Sequence, residues 1–184
     1  MKKLLYLIAL PALLACALSS CLGDEPGTDS SWRERNDRWI AEKEAETDAS
    51  GQPVYTRVNC KWDPNGYVLM KWHNNRALTQ GKLSPMSTST IDVKYRVTNI
   101  DGTGLDSSYY RTVPADSIYR SVLNTNIQGW QIALSNMHIG DSCTVLIPYN
   151  QAYGVNTQGS IAAYSNLIFD VKLVDIPAYQ RPLQ

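Results

Sequence analysis

Residues 127–169 decide the fold and read IQGWQIALSNMHIGDSCTVLIPYNQAYGVNTQGSIAAYSNLIF. Near the start of this stretch, apolar residues occupy the i, i+3, i+4 and i+7 positions, which form one face of a helix. These residues are Trp130, Ala133, Leu134 and Met137. One glycine precedes the run and another follows it, which marks its two ends. The pattern predicts a short helix with one buried face.

Two segments of alternating polarity follow this helix. In the first, positions 143, 145 and 147 are apolar and share one parity, and Pro148 ends the run. In the second, positions 167, 169, 171 and 173 are apolar and alternate with Asp170 and Lys172. A period of two residues is that of a β-strand with one face towards the core. We therefore predict two half-buried strands, with Cys143 as a small buried apolar residue on the first.

Upstream of this stretch, the sequence predicts one more helix and further strands. Residues 32–47 carry a narrow apolar stripe on an otherwise charged helix, and we expect the stripe to pack against its own domain. Residues 54–58 and 67–72 have the pattern of two strands joined by a turn, and residues 91–97 of a third strand. The first pair either leads into the main sheet or forms its own edge hairpin. Because strands outnumber helices, we predict an α+β fold with a curved antiparallel sheet against one central helix.

The first residues have the pattern of an export signal. Two lysines precede an apolar run over residues 4–18, which is shorter than the roughly 20 residues that a membrane-spanning helix needs. Small residues and then Cys21 follow, an order that resembles a bacterial lipoprotein signal. Cys16 is a competing match, but Cys21 is preferred because a polar segment begins directly after it. We predict a signal peptide over residues 1–20, lipidation of Cys21, and a tether over residues 21–30.

This signal implies a location outside the cytoplasm. The lipid anchor is expected to hold the protein on a bacterial membrane, with the outer membrane favoured and the periplasmic and cell-surface leaflets both open. An ordinary secretory signal with an incidental cysteine is the alternative.

Charge and ligand patterns argue against nucleic acid and metal. The 17 basic and 17 acidic residues balance, and loss of the two signal-peptide lysines leaves 15 basic residues against 17, a net charge of −2. The only two histidines, His73 and His138, do not form a zinc-ligand pattern. A disulfide between Cys60 and Cys143 is chemically allowed outside the cytoplasm, but sequence does not decide it. We predict no metal, no cofactor, no nucleic-acid partner and a monomer.

The motifs themselves carry a resemblance. The blocks IQGW, MHIGD, IPYNQAYG and NLIFDVKLVDI resemble the C-terminal half of an FKBP-type peptidyl-prolyl cis-trans isomerase. Upstream, IDVKYRV and DGTGLDSS resemble the N-terminal half, and the blocks occur in the family's order over residues 91–176. The resemblance implies an isomerase domain over residues 90–178, in which a half-barrel sheet wraps around one short helix. Residues 31–89 are then an N-terminal helix and strand extension, and residues 179–184 a tail.

The activity that the resemblance implies is rotation about X-Pro peptide bonds. This rotation is slow because the barrier is near 20 kcal/mol, yet no covalent bond breaks. A shaped apolar pocket with well-placed hydrogen-bond donors is therefore sufficient, without a nucleophile or a metal. The implied partners are proline-containing exported proteins as substrates and macrolide compounds as inhibitors.

The resemblance also assigns residues to the site. Tyr95 is implied at the pocket wall, Trp130 at its floor and Phe169 at its back. Asp106 is implied as the acid that faces the pocket, and Tyr153 as the hydroxyl donor to a carbonyl beside the proline. Without the resemblance, core packing and turn capping would be the preferred explanations of all five residues.

Further residues are implied as substrate contacts. These are Leu105 before the acid, Ile127 through its backbone amide, and Ile161 in the flap loop.

Several positions depart from the family pattern. Leu105 stands where an aromatic residue is usual, Ala115 and Ser117 replace apolar or aromatic residues, and Ala162 and Ala163 replace a proline pair in the flap. The floor and polar groups are thus expected to be intact and the rim altered, so that activity is reduced or shifted in substrate. The alternative is a non-catalytic peptide-binding or chaperone module. The 11 tyrosines and 5 tryptophans leave a glycan-binding surface lipoprotein as a third reading.

Overall fold

The computed structural model describes residues 29–179. This part of the chain forms two helices and seven strands, in the order α1 (Asp29–Ala45), β1 (Thr56–Asn59), β2 (Tyr67–Trp72), β3 (Thr90–Thr98), β4 (Gly104–Ser107), β5 (Tyr119–Val122), α2 (Gln128–Leu134), β6 (Ser142–Ile147) and β7 (Leu167–Ala178). The predicted signal peptide, the predicted lipidation site Cys21 and residues 180–184 lie outside the described residues.

The strands form one antiparallel sheet. Its order is β1-β2-β6-β7-β3-β4, and β5 also pairs with β3. Because β2 pairs with β6, the N-terminal hairpin leads into the main sheet, and of its two strands β1 takes the outer position. The sheet therefore runs across residue 89, where the predicted extension meets the predicted isomerase domain.

The concave side of the sheet holds the main core. Inward-facing residues of β3 and β7 lie opposite each other in register, as Val93 with Leu173, Tyr95 with Val171, and Val97 with Phe169. All six are buried, and the apolar residues of α2 pack into the same cluster. The predicted α+β fold, a half-barrel sheet around one short helix, is confirmed.

Helix α1 covers part of the opposite side of the sheet. Leu69 of β2 and Leu146 of β6 are directly paired and point away from the main core, and both are buried with Ile40 of α1. The apolar stripe of α1 thus packs against its own domain, as predicted. The prediction of one buried face for β6 was incomplete, because alternation alone does not show that a helix covers the second face.

The helices differ in extent from the sequence prediction. Helix α1 begins at Asp29 and ends at Ala45, so it starts and ends earlier than the predicted residues 32–47. Helix α2 ends at Leu134, so Met137 lies beyond it, although Met137 is fully buried. A turn in which Met137 N–H donates to the Leu134 carbonyl at 3.0 Å folds it back into the core.

The two described cysteines are free thiols. Cys60 and Cys143 are both buried and do not form the disulfide that sequence left open. Burial raises the pKa of the Cys143 thiol to about 12, so this group is protonated and unreactive at neutral pH. Across residues 29–179, no helix is long and apolar enough to cross a membrane.

The packing of α2 on β6 depends on Gly129. A Cβ at this position would lie 2.3 Å from Ile147 Cγ2 and 2.8 Å from Ile147 Cδ1. We expect Gly129→Ala to lower the free energy of unfolding by about 1–3 kcal/mol, because the helix must move away from the strand. Urea denaturation measures this change.

Gly104→Ala is the matched control, since a Cβ there meets no atom within 4 Å. It should change the free energy of unfolding by less than about 0.5 kcal/mol. Equal stability of the two variants would show that α2 does not need the close approach.

Candidate active site

A cleft of about 330 Å³ opens on the concave side of the sheet, at the N-terminal end of α2. Its walls come from β3, β4, β5, β7 and the connections that follow β4, β5 and β6. The lining residues are Tyr95, Val97, Asp106, Arg111, Tyr119, Thr125, Asn126, Ile127, Trp130, Tyr153, Ile161, Leu167 and Phe169.

The cleft brings together seven of the eight residues that sequence assigned to the site. Leu105 is the exception. It is half-buried and packs against the main core without lining the cleft.

Aromatic rings form the floor of the cleft. The Trp130 ring centroid lies 5.2 Å from that of Tyr95 and 5.3 Å from that of Phe169, with interplanar angles of 85° and 72°. Tyr119 extends the cluster, at 5.7 Å from Tyr95 and 5.9 Å from Trp130. Edge-to-face contacts at these distances are favourable and fix the rings relative to one another. The floor is therefore a rigid apolar surface rather than a set of mobile side chains.

Asp106 has hydrogen-bond donors on both carboxylate oxygens. Oδ2 accepts from the Tyr95 hydroxyl at 2.5 Å, and Oδ1 accepts from the Tyr110 hydroxyl and, at 2.7 Å, from the Ser107 N–H. A guanidinium nitrogen of Arg111 lies 3.9 Å from Oδ2. Asp106 thus caps its own turn and also faces the cleft, so the two readings from sequence describe one side chain in two roles.

These neighbours set the charge of Asp106. Partial burial raises its pKa, but the hydrogen bonds from Tyr110, Tyr95 and Ser107 and the charge of Arg111 together lower it further, so the pKa lies below its usual range. Burial, followed by the bond to Asp106, raises the pKa of Tyr95. At neutral pH the site therefore holds a fixed carboxylate and a protonated phenol.

Tyr153 supplies a second hydroxyl at the mouth of the cleft. It is 36% exposed and lies in the connection between β6 and β7. Burial and the nearby Tyr119 and Asp106 raise its pKa, which keeps the hydroxyl protonated as a donor. The following Gly154 has a φ of 64°, a left-handed conformation that glycine adopts without strain.

Sequence analysis missed several polar or aromatic residues of the site, among them Thr125 and Asn126 in its lining. Tyr119 supplies an aromatic wall, although Ala115 and Ser117 suggested that this wall was lost. Ser117 adopts a φ of 64°, and the chain then enters β5, where Tyr119 lies opposite Val93 of β3. Arg111 and Tyr110 reach Asp106 from the turn that follows it. The sequence signal for these two residues is an aromatic and a basic residue close after Asp106, and this signal has no periodic pattern.

The chemistry available here is binding and electrostatic stabilisation. Among the described residues, no histidine or cysteine lines the cleft, and no group of three or more His, Cys, Asp and Glu residues could hold a metal ion. An apolar floor, a fixed carboxylate and a hydroxyl donor favour an uncharged polar ligand with an apolar ring.

We expect Tyr110→Phe to raise the pKa of Asp106, because it removes a donor from the ionised carboxylate. Above the ordinary carboxyl pKa, the ionised form of Asp106 stabilises the fold, and this contribution disappears as the pH falls through the folded-state pKa. Because the pKa of the unfolded state is unchanged, the total loss of stability should be smaller in the variant and should be complete at a higher pH. Carbon-13 NMR titration of the Asp106 carboxyl measures the pKa, and pH-dependent denaturation measures the stability.

Tyr109→Phe is the control and should leave the pKa of Asp106 unchanged. The Tyr109 ring packs against Arg96, with its centroid 4.5 Å from the guanidinium carbon. An unchanged pKa of Asp106 in Tyr110→Phe would contradict the assigned hydrogen bond.

Comparison with known proteins agrees with the fold. The family model of the FKBP-type peptidyl-prolyl cis-trans isomerases matches residues 81–174. The isomerase FkpA of Buchnera aphidicola is 37% identical over 99 residues, which are 54% of this chain and 38% of that protein. The macrophage infectivity potentiator of Trypanosoma cruzi is 34% identical over 148 residues, 80% of this chain and 66% of that protein.

The chain thus spans less than two thirds of the length of either relative. A crystal structure of a peptidyl-prolyl cis-trans isomerase from Pseudomonas syringae superposes with a TM-score of 0.61 and 26% identity, over 82% of this chain and 98% of that one. The family model covers the matched motifs, the strands around α2 and most of the cleft. The chain therefore belongs to the FKBP-type peptidyl-prolyl cis-trans isomerase family.

Proposed function

We propose that this protein accelerates cis-trans isomerisation of X-Pro bonds in exported proteins. The observation that carries the proposal is the apolar aromatic floor of the cleft with polar groups placed only at its edge. A planar amide is charge-separated by resonance, and the twisted amide of the transition state is less so. An apolar, water-poor surface therefore binds the twisted form better than the planar one, which lowers the barrier.

Each lining group has a part in this mechanism. The proline ring packs on Trp130, between Tyr95 and Phe169, and Ile161 covers it from the flap loop. The Tyr153 hydroxyl and the Ile127 backbone amide donate to carbonyl oxygens next to the proline. Asp106 acts mainly on Tyr95 and Arg111, whose side chains it fixes at the wall of the cleft.

The cleft supports one further proposal, and the covered faces of the sheet support another. Macrolide compounds with an apolar ring compete for the same aromatic floor. The protein acts as a monomer, because α1 and α2 already cover apolar residues on the two sides of the sheet.

We expect Tyr153→Phe to lower kcat/KM for isomerisation by roughly fivefold, which corresponds to the loss of one hydrogen bond worth about 1 kcal/mol in the transition state. Asp106→Asn should lower it by about tenfold, since the wall loses a charge-assisted bond. A protease-coupled assay with a proline-containing tetrapeptide and the full-length protein measures both. The exposed Tyr179→Phe is the control and should leave the rate unchanged.

Full activity in both variants would overturn the site assignment. Peptide binding without any acceleration by the wild-type protein would instead favour the binding-module alternative.

We also propose that the protein is exported and anchored through a lipid on Cys21, with the outer membrane as its expected site. The basic and apolar start of the chain, the small residues before Cys21 and the polar segment after it support this.

Labelling of bacteria with an alkyne-bearing fatty acid tests this proposal. Cys21→Ser should abolish incorporation and release the protein from the membrane fraction, because a thiol is the only acceptor in this signal pattern. Cys16→Ser is the matched control and should be labelled like the wild type. The reverse result would move the lipidation site to Cys16. Absence of label in the wild-type protein would indicate an ordinary secretory signal.

A further inference from the structure

Helix α1 contacts the connection that carries the Tyr153 hydroxyl. This connection, residues 148–166, runs from the end of β6 to the start of β7 and includes Ile161 as well. It is called the active-site loop below. Helix α1 lies outside residues 81–174, the segment that the family model matches.

A pair of buried amides joins α1 to the end of the active-site loop. Asn36 and Asn166 are both fully buried. The Asn166 backbone N–H donates to Asn36 Oδ1 at 2.8 Å, and Asn166 Nδ2 donates to the Asn36 carbonyl at 2.6 Å. Asn36 Nδ2 in turn donates to the Trp32 carbonyl at 2.9 Å. Buried amides without partners are costly, so this arrangement fixes one position of the loop end on the helix.

The same asparagine holds the start of the loop. Asn166 Oδ1 accepts from the Tyr149 backbone N–H at 2.9 Å, which ties the first residues of the loop to its last. The Tyr149 and Tyr164 rings pack edge to face at 5.4 Å. Tyr149 raises the pKa of the Arg33 guanidinium on α1, and the guanidinium carbon lies 5.1 Å from the centroid of the Tyr164 ring. Trp32 Nε1 donates to Ser165 Oγ at 3.1 Å. Helix α1 thus contacts both ends of the loop.

Two short hydrogen-bonded connections lead from these ends to Tyr153. The Gly154 N–H donates to the Tyr149 carbonyl at 2.8 Å, and the Tyr164 N–H donates to the Gly154 carbonyl at 2.9 Å. Both bonds end on Gly154, so the residue directly after Tyr153 is bonded to the two parts of the loop that α1 contacts. Tyr164 has a φ of 61°, a strained conformation for a non-glycine residue, which persists only where the surroundings hold it.

We propose that α1, through Asn36, is a positioning element that holds the active-site loop so that Tyr153 points into the cleft. The inference rests on the proposed function, since the reaction is its readout. It makes the N-terminal helix part of the active-site architecture, in addition to its packing on the sheet through Ile40.

A double-mutant cycle separates positioning from stability. We expect Asn36→Ala to lower kcat/KM by up to about fivefold, the effect expected of Tyr153→Phe, because it displaces the hydroxyl that Tyr153→Phe removes. In that background, Tyr153→Phe should cost less than about twofold more, since a misplaced hydroxyl has little left to lose. Asn36 and Tyr153 act as one unit only if α1 positions the loop. Multiplicative effects of the two substitutions would overturn the proposal.

Leu173→Val is the matched control. Leu173 is fully buried in the middle of β7, six residues along the strand from Leu167, where the active-site loop ends. It weakens the core without touching the loop, so Tyr153→Phe should keep its full effect in this background. Trp32→Phe is a milder variant for the case in which Asn36→Ala does not fold. It removes only the bond to Ser165 and should show the same loss of additivity to a smaller degree.

Amide hydrogen exchange tests the physical half of the proposal without the reaction. In Asn36→Ala, exchange should become faster in peptides from residues 149–166 while peptides from β3 keep the wild-type rate. Unchanged exchange in the loop would overturn the proposal. Absence of isomerisation by the wild-type protein would sink the proposed function instead, and the exchange result would still show whether α1 holds the loop.

Discussion

The close approach of α2 to β6 is the constraint on which the rest of the structure depends. Gly129 has no side chain, so the helix backbone comes down onto Ile147 and seats Trp130 between Tyr95 and Phe169. The helix is only seven residues long, so it fills one part of the concave side of the sheet and leaves the other part open. The cleft is this unfilled part, which explains why its lining takes residues from the N-terminal end of α2 and none from the end of the helix. A longer helix would have completed the core and removed the site.

The polar edge of the cleft follows from a different requirement, the hydrogen bonding of a partly buried carboxylate. Desolvation alone would push the pKa of Asp106 upward, and a neutral acid would hold its neighbours less firmly. Donors from β3 and from the turn after β4 reverse that shift. Ser108 fixes the turn itself, since its hydroxyl accepts from the Tyr95 N–H at 2.9 Å while its own N–H donates to the Tyr95 carbonyl at 3.0 Å. The result is a permanent charge that orders the wall, in a site that the proposed reaction does not ask to move protons.

Much of this could be predicted from sequence, because the informative patterns are local. Alternation identified β3, β6 and β7, helical spacing identified α2, and the ordered motifs located most of the cleft. What sequence did not show depends on contacts between distant residues. Leu146 looked like the outer face of its strand until α1 covered it, and Asn36 looked like a polar residue on a charged helix although it is fully buried. Tyr119 was missed because the left-handed turn at Ser117, which brings the chain into β5, leaves no periodic signal.

The fold of the sheet and of the active-site loop depends on α1 and β2, and this decides where the domain begins. The segment that matches the family model starts at residue 81, but β2 lies inside the sheet between β1 and β6, with Leu69 and Met70 fully buried. Without α1 and β2, the face of β6 that carries Leu146 would be exposed to water, and Asn166 would lose the acceptor of its buried N–H. Exposure of one large apolar side chain costs about 1.5–3 kcal/mol and an unsatisfied buried donor about 1–3 kcal/mol, against a total stability of roughly 5–15 kcal/mol for a domain. The N-terminal helix and hairpin are therefore part of the folding unit, and the physical domain of this protein is larger than the part by which its family is recognised.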